Sequence, residues 1–102
     1  MLVANYPSPE SAEFVLIPDL RAVVVDGQEI AVTRTQYRIL AALMSAPGRA
    51  FSREELVRQC IGTIVVERTV DVHVKELRRK LGAPGWRIET VRRVGYRFRD
   101  QG

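Results

Sequence analysis

The chain has one cysteine, Cys60, and one histidine, His73. The first excludes an intramolecular disulfide. The second excludes a histidine dyad or a histidine-built metal cluster. No apolar run approaches the roughly 20 residues that cross a bilayer, and the opening Met1-Leu-Val-Ala-Asn-Tyr-Pro-Ser8 lacks the basic start and sustained apolar stretch of a secretory leader. Glycine-rich phosphate loops are missing too, and the carboxylates are scattered. Together these absences predict a cytoplasmic protein that is not an enzyme and carries no cofactor or metal. Cys60, beside Ile61, reads as a small buried hydrophobe.

What is present fits one folded unit. A chain of 102 residues with 46% hydrophobic content supports a single domain with a modest core. Net charge is +4, unevenly placed: residues 1–32 carry one basic and five acidic side chains, residues 33–66 five and two, and residues 67–102 ten and five. Local balances of −4, +3 and +5 therefore polarise the positive charge toward the C-terminal half, as a polyanionic partner requires. A membrane surface is the less suitable polyanion, because the apolar side of the basic helix is needed for the core and leaves no face to enter lipid.

Residues 1–12, with Pro7 and Pro9, read as a linker or tail, and 13–102 as the domain. Phe14–Ile17, Ala22–Val25 and Ile30–Val32 are β-type runs broken by Pro18-Asp19 and by Asp26-Gly27, a two-residue hairpin signal. They predict a small antiparallel sheet. Thr33 followed by Gln36 is a capping-box pattern, opening a helix with Tyr37, Leu40, Ala41 and Met44 on one side and ending before Pro47-Gly48. Ser52 and Glu55 repeat the pattern for a second helix reaching about Cys60. At its start, Arg53 and the neighbouring amides are placed to touch a phosphate backbone, though a solvated first-turn arginine fits equally well.

The third helix, about 67–81, sets Val70, Val74, Leu77 and Leu81 in one stripe, with Arg68, Val72, Lys75, Glu76 and Arg79 opposite. Gly82-Ala-Pro-Gly85 stops it. The period then changes to two, and Trp86–Val91 and Val94–Arg99 read as strands joined by Arg92-Arg93, with Tyr96 and Phe98 on one face and Arg97 and Arg99 on the other. A basic helix suited to a major groove is thus followed by a ribbon tipped with arginines, the side chain suited to a narrow, negative minor groove.

These residues, Arg68-Thr-Val-Asp-Val-His-Val74, Leu77-Arg-Arg-Lys-Leu81, Ile88-Glu-Thr-Val-Arg92 and Val94-Gly-Tyr-Arg-Phe98, resemble the signature of OmpR/PhoB-type winged-helix domains, the effector halves of bacterial two-component response regulators. The resemblance covers roughly residues 14–99. It implies an α+β winged helix-turn-helix with an N-terminal antiparallel sheet, three helices and a C-terminal hairpin wing, binding double-stranded DNA sequence-specifically to regulate transcription. It further implies phosphate contacts at Arg68, Thr69, His73 and Arg78, and base contact by Val72, for which a thymine methyl is the apolar partner. Lys75, Glu76 and Arg79 share that face, and Arg92 matches the minor-groove arginine; Thr90, Arg93 and Tyr96 complete the candidate contacts. Asp71 reads as a helix N-terminus stabiliser.

Two departures are informative. Glu76 stands where many relatives carry a guanine-reading arginine; a carboxylate can accept from cytosine N4 or pair with Lys75 or Arg79. Arg93 stands where relatives usually have glycine, which predicts a strained turn or a longer loop. The segment Gly62–Glu67 is short and apolar, whereas the corresponding loop of relatives is often longer and can touch RNA polymerase; this predicts a packed connection rather than a polymerase contact here. RNA polymerase, a second copy on repeated half-sites and a receiver or other upstream domain are the further partners the resemblance brings into view. The alternative is a winged helix used only for protein–protein contact.

Overall fold

Asp26 and Gly27 both adopt positive φ, 50° and 83°, the geometry that a two-residue hairpin turn needs. The turn joins β2 (Ala22–Val25) to β3 (Gln28–Ala31), and β1 (Phe14–Ile17) pairs antiparallel with β2 in the register Phe14↔Val25 to Ile17↔Ala22. The structure, a computed structural model, describes residues 12–61 and 68–99. Of the expected 1–12 tail only Ala12 is described, and it is buried at 1% exposure. The Gly62–Glu67 loop lies outside the described residues, so the expectation about polymerase contact lies outside them too.

Helix α1 (Arg34–Ser45) starts at a complete capping box. The Gln36 amide donates to Thr33 Oγ1 at 3.1 Å, and the Thr33 amide donates back to Gln36 Oε1 at 3.0 Å, so two otherwise unpaired backbone donors are satisfied reciprocally. Its inward face is Gln36, Ile39, Leu40 and Leu43. That corrects the expected face: only Leu40 is shared, and Tyr37, Ala41 and Met44 sit half-buried beside it. The rotation places the capping Gln36 inside, where Lys80 Nζ donates to the same Oε1 at 2.9 Å.

Ser52 and Glu55 form the second capping box, opening α2 (Arg53–Leu56), which runs on through one π-type turn, Val57–Ile61. Cys60 is buried there, and burial pushes its thiol pKa up to about 11. Helix α3 (Arg68–Leu81) follows. Val70, Val74 and Leu77 are fully buried and Leu81 nearly so, confirming the stripe read from the spacing.

The expected strand Trp86–Val91 is shorter. Residues Ala83–Arg87 wind into a 3-10 turn, and β5 spans Ile88–Val91. It pairs antiparallel with β6 (Gly95–Phe98), whose other edge takes the two-residue strand β4 (Phe51–Ser52), so that sheet runs β4-β6-β5. Gly95 permits that third strand, since a Cβ there would lie 2.0 Å from the Phe51 carbonyl oxygen. The hairpin loop is three residues, 92–94, closed by the Val94 amide donating to the Val91 carbonyl at 2.9 Å, with Arg93 at φ +67°. Of the two outcomes expected for a non-glycine residue here, both occurred.

One core unites the layers: Val23 and Val25 from the first sheet, Ile39, Leu40 and Leu43 from α1, Leu56, the α3 stripe, and Ile88, Tyr96 and Phe98 from the second sheet. At its edge lies a buried arginine. Arg87 is 4% exposed; its Nε and Nη2 donate to the Arg99 carbonyl at 3.1 and 3.0 Å, its Nη1 donates to the Ala12 carbonyl, and its guanidinium lies 4.6 Å from the Phe98 ring and 5.2 Å from Phe14. Those acceptors and rings compensate for the lost hydration of the charge.

Candidate nucleic-acid interface

Because α3 buries its Val70/Val74/Leu77/Leu81 side, geometry alone sends Val72, Lys75, Glu76 and Arg79 outward. Val72 is 60% exposed, and Lys75 and Arg79 are exposed beside it. An uncovered valine amid charges has no core to serve. Glu76 is not free: Arg79 pairs with it at 2.9 Å, one of the two partners expected for it, with side chains 43% and 68% exposed. At such exposure the pair contributes at most about 1 kcal/mol, so a base edge or phosphate can compete for either member. Thr69 and His73 are half-buried on the flank of the helix. The side chain of Arg68, at the first position of α3, lies outside the described residues.

The start of the helix is held by a network that joins distant segments of the chain. Asp71 Oδ1 accepts from Arg53 Nε at 2.7 Å and from the Tyr96 hydroxyl. The Asp71 hydrogen bond holds the Arg53 guanidinium further into its charged state, while burial followed by the same carboxylate raises the Tyr96 phenol above its usual range. Arg53 therefore spans from the first turn of α2 to the first turn of α3, which fixes the angle of the helix-turn-helix; the solvated alternative does not describe it. Tyr96 needs correction as a surface contact. It is 4% exposed, with its ring in the core and its hydroxyl turned to Asp71.

Arg78 is likewise directed inward. Its Nε donates to the Ile88 carbonyl at 2.9 Å, and its Nη2 donates to that carbonyl and, at 2.9 Å, to Thr90 Oγ1. Thr90 is exposed on β5. On the outer face of the hairpin Glu89 engages Arg97 and, at 3.9 Å, Arg99, which removes two arginines from the set of unpaired cations. Among the described residues Lys75, Arg92 and Arg93 form no ion pair, and both loop arginines are exposed. Exposed cations without an ion pair among the described residues therefore stand at the middle of α3 and at the hairpin tip, and also at Arg21 and, on α1, at Arg34 and Arg38. Among the described residues no group of three His, Cys, Asp or Glu could hold a metal ion, and no helix is long and apolar enough to cross a membrane.

A family model described as "Transcriptional regulatory protein, C terminal" matches residues 27–98. The chain belongs to that family. Its fold is the OmpR/PhoB-type winged helix: sheet, three helices, hairpin. Transcriptional regulatory protein VxrB of Vibrio cholerae is 44% identical over 81 residues, which is 78% of this chain and 32% of that protein. The phosphate regulon regulator PhoB of Pseudomonas aeruginosa is 39% identical over 92 residues, 87% of this chain and 40% of that one. The chain spans about a third of the length of the curated relatives it matches. Among solved structures, the DNA-binding domain of the response regulator AdeR, in complex with an intercistronic region, superposes with a TM-score of 0.78 at 34% identity over 85% of this chain and 94% of that one. The Klebsiella pneumoniae RstA DNA-binding domain, in complex with the RstA box, gives 0.72 at 30% identity over 84% and 90%. The family is one of transcription regulators, not of enzymes.

Sequence reasoning missed Arg87 and the Asp71–Arg53–Tyr96 network. Nothing local signals either, since the partners lie 75, 18 and 25 residues apart in the chain.

Proposed function

We propose that this domain binds double-stranded DNA sequence-specifically and thereby regulates transcription in the bacterial cytoplasm, with α3 in the major groove and the 92–94 loop toward the adjacent minor groove. The observation that carries the reading is the exposed Val72, set among Lys75, Glu76 and Arg79 on α3 and accompanied by unpaired Arg92 and Arg93 at the hairpin tip. An apolar contact for a thymine methyl between polar base-readers, with arginines one groove away, is an arrangement with a use on duplex DNA. The likeness to the AdeR and RstA domains, solved on DNA, supports it. In this reading Arg68, Thr69 and His73 hold phosphates, Val72, Lys75, Glu76 and Arg79 face bases, and Thr90 and Arg93 approach the backbone beside the minor-groove Arg92. A receiver or other regulatory domain upstream supplies the signal, a second copy occupies a repeated half-site, and no cofactor takes part.

Selection of bound sites from random duplexes, followed by titration of the best site at several salt concentrations, tests this. With roughly five to eight phosphates engaged, log K falls linearly with log salt at a slope of about 0.9 per phosphate. A flat salt dependence, or no selected site, refutes DNA binding and favours a protein-contact role.

A further inference from the structure

Two residues of α3 hold the hairpin, and they hold different strands of it. Asp71 takes the hydroxyl of Tyr96 on β6; Arg78 takes the Ile88 carbonyl and the Thr90 hydroxyl on β5. Seven residues apart, they lie about two turns and 10 Å apart along one side of the helix. One attachment leaves a hairpin able to rock; a second at that distance fixes its angle. The Tyr96 ring sits near both arginines of the network, 5.2 Å from Arg53 and 5.5 Å from Arg78. The base of the hairpin is seated at the same place, because Gly85 approaches so closely that a Cβ there would lie 2.7 Å from the Arg78 carbonyl oxygen.

We infer that Arg78 is a positioning residue: it sets the angle of the wing against the recognition helix, and through that angle the strength with which Arg92 reads the flank of the binding site. This takes the place of the phosphate contact that resemblance assigns to Arg78, and its functional half rests on the DNA-binding reading. The chemistry is specific to arginine. A planar guanidinium can place Nε on one acceptor and Nη2 on two, whereas a lysine ammonium is a point charge that keeps phosphate attraction but not that fork.

Arg78→Lys separates the two roles, because it retains the charge and loses the brace. Wild type, Arg78→Lys, Arg92→Ala and the double variant are titrated on a selected site with A·T-rich or G·C-rich flanks, and at several salt concentrations. We expect Arg78→Lys to cut the A·T-flank preference roughly threefold or more, a size usual for coupled neighbours. The salt slope should stay unchanged, and Arg78→Lys should cause no further loss of preference in the Arg92→Ala background. An unchanged flank preference in Arg78→Lys, or equal losses with and without Arg92, overturns the inference. Hydrogen exchange on the free protein provides a readout without DNA: Arg78→Lys should speed exchange of hairpin amides in 89–95 while α3 and the thermal midpoint hold. Unchanged hairpin protection overturns the brace itself. Wild-type protein that binds no duplex overturns the DNA reading and the flank half, and leaves the exchange result to decide the brace.

Discussion

Arg93 occupies a backbone conformation that its side chain disfavours, and replacing it should make the protein more stable while making it a poorer DNA binder. Its φ of +67° lies in the left-handed region, which costs a residue with a Cβ about 1–2 kcal/mol. Glycine escapes that cost but brings a more disordered unfolded chain, worth about 0.4–1 kcal/mol in the opposite direction. Arg93 is exposed and forms no ion pair among the described residues, so no contact is forfeited. The difference leaves Arg93→Gly more stable by about 0.5–1 kcal/mol, which for a domain of this size raises the thermal midpoint by about 2–6 °C. Arg92→Gly is the control: Arg92 does not have positive φ, so glycine there brings only its entropic cost and lowers the midpoint. Calorimetry or circular dichroism melts of the three proteins under one buffer supply the comparison. On duplex DNA, Arg93→Gly should lose about one unit of salt slope, equally on all flanks. A midpoint that falls or stays level in Arg93→Gly would show that the loop is not strained where the backbone says it is.

Glu76→Arg should change which base is favoured at one operator position, by about 1–3 kcal/mol, rather than tighten every sequence alike; uniform tightening in a base-substitution panel would mean Glu76 serves only its pair with Arg79. Arg87→Leu leaves the Ala12 and Arg99 carbonyls without their charged donor and should cost about 3 kcal/mol in urea unfolding, a loss under about 1 kcal/mol being incompatible with the buried geometry. Cys60, whose thiol is pushed up to about 11 by burial, should react with a thiol reagent at pH 8 far more slowly in native than in denatured protein. Since the raised pKa favours the neutral thiol in the fold, the stability Cys60 brings is complete below the ordinary thiol range and is lost as pH rises through about 11; Cys60→Ala should flatten that alkaline decline.

The parts of this fold that were legible in the sequence depend on short spacings. Both capping boxes are four-residue patterns, the Asp26-Gly27 turn is a dipeptide, and the α3 stripe repeats within one helix, so each carries its geometry locally. Where neighbours in space decided, the reading slipped. α1 turned so that Gln36 lies inside and meets Lys80, and no spacing within α1 announces a partner 44 residues away. Trp86 and Arg87 left the strand because the Gly85 backbone packs on α3, and the two-residue hairpin gained a third loop residue. For the candidate interface, outward-facing residues followed directly from knowing the inward stripe. Arg78 and Tyr96 did not, because a periodic pattern says which side of an element a residue leaves by and not which distant acceptor it finds. Glu76 remained open between two neighbours until the Arg79 pair chose one.

The Arg87 guanidinium, which holds the carbonyls of Ala12 and Arg99 at once, also has a mechanical meaning. These are the first and last of the described residues, and the guanidinium holds them side by side. A pull applied across residues 12 and 99 would load that clamp first. Because the two lie side by side, a circularly permuted chain, with 12 and 99 joined by a short linker and new ends opened at the Asp26-Gly27 turn, should retain the fold.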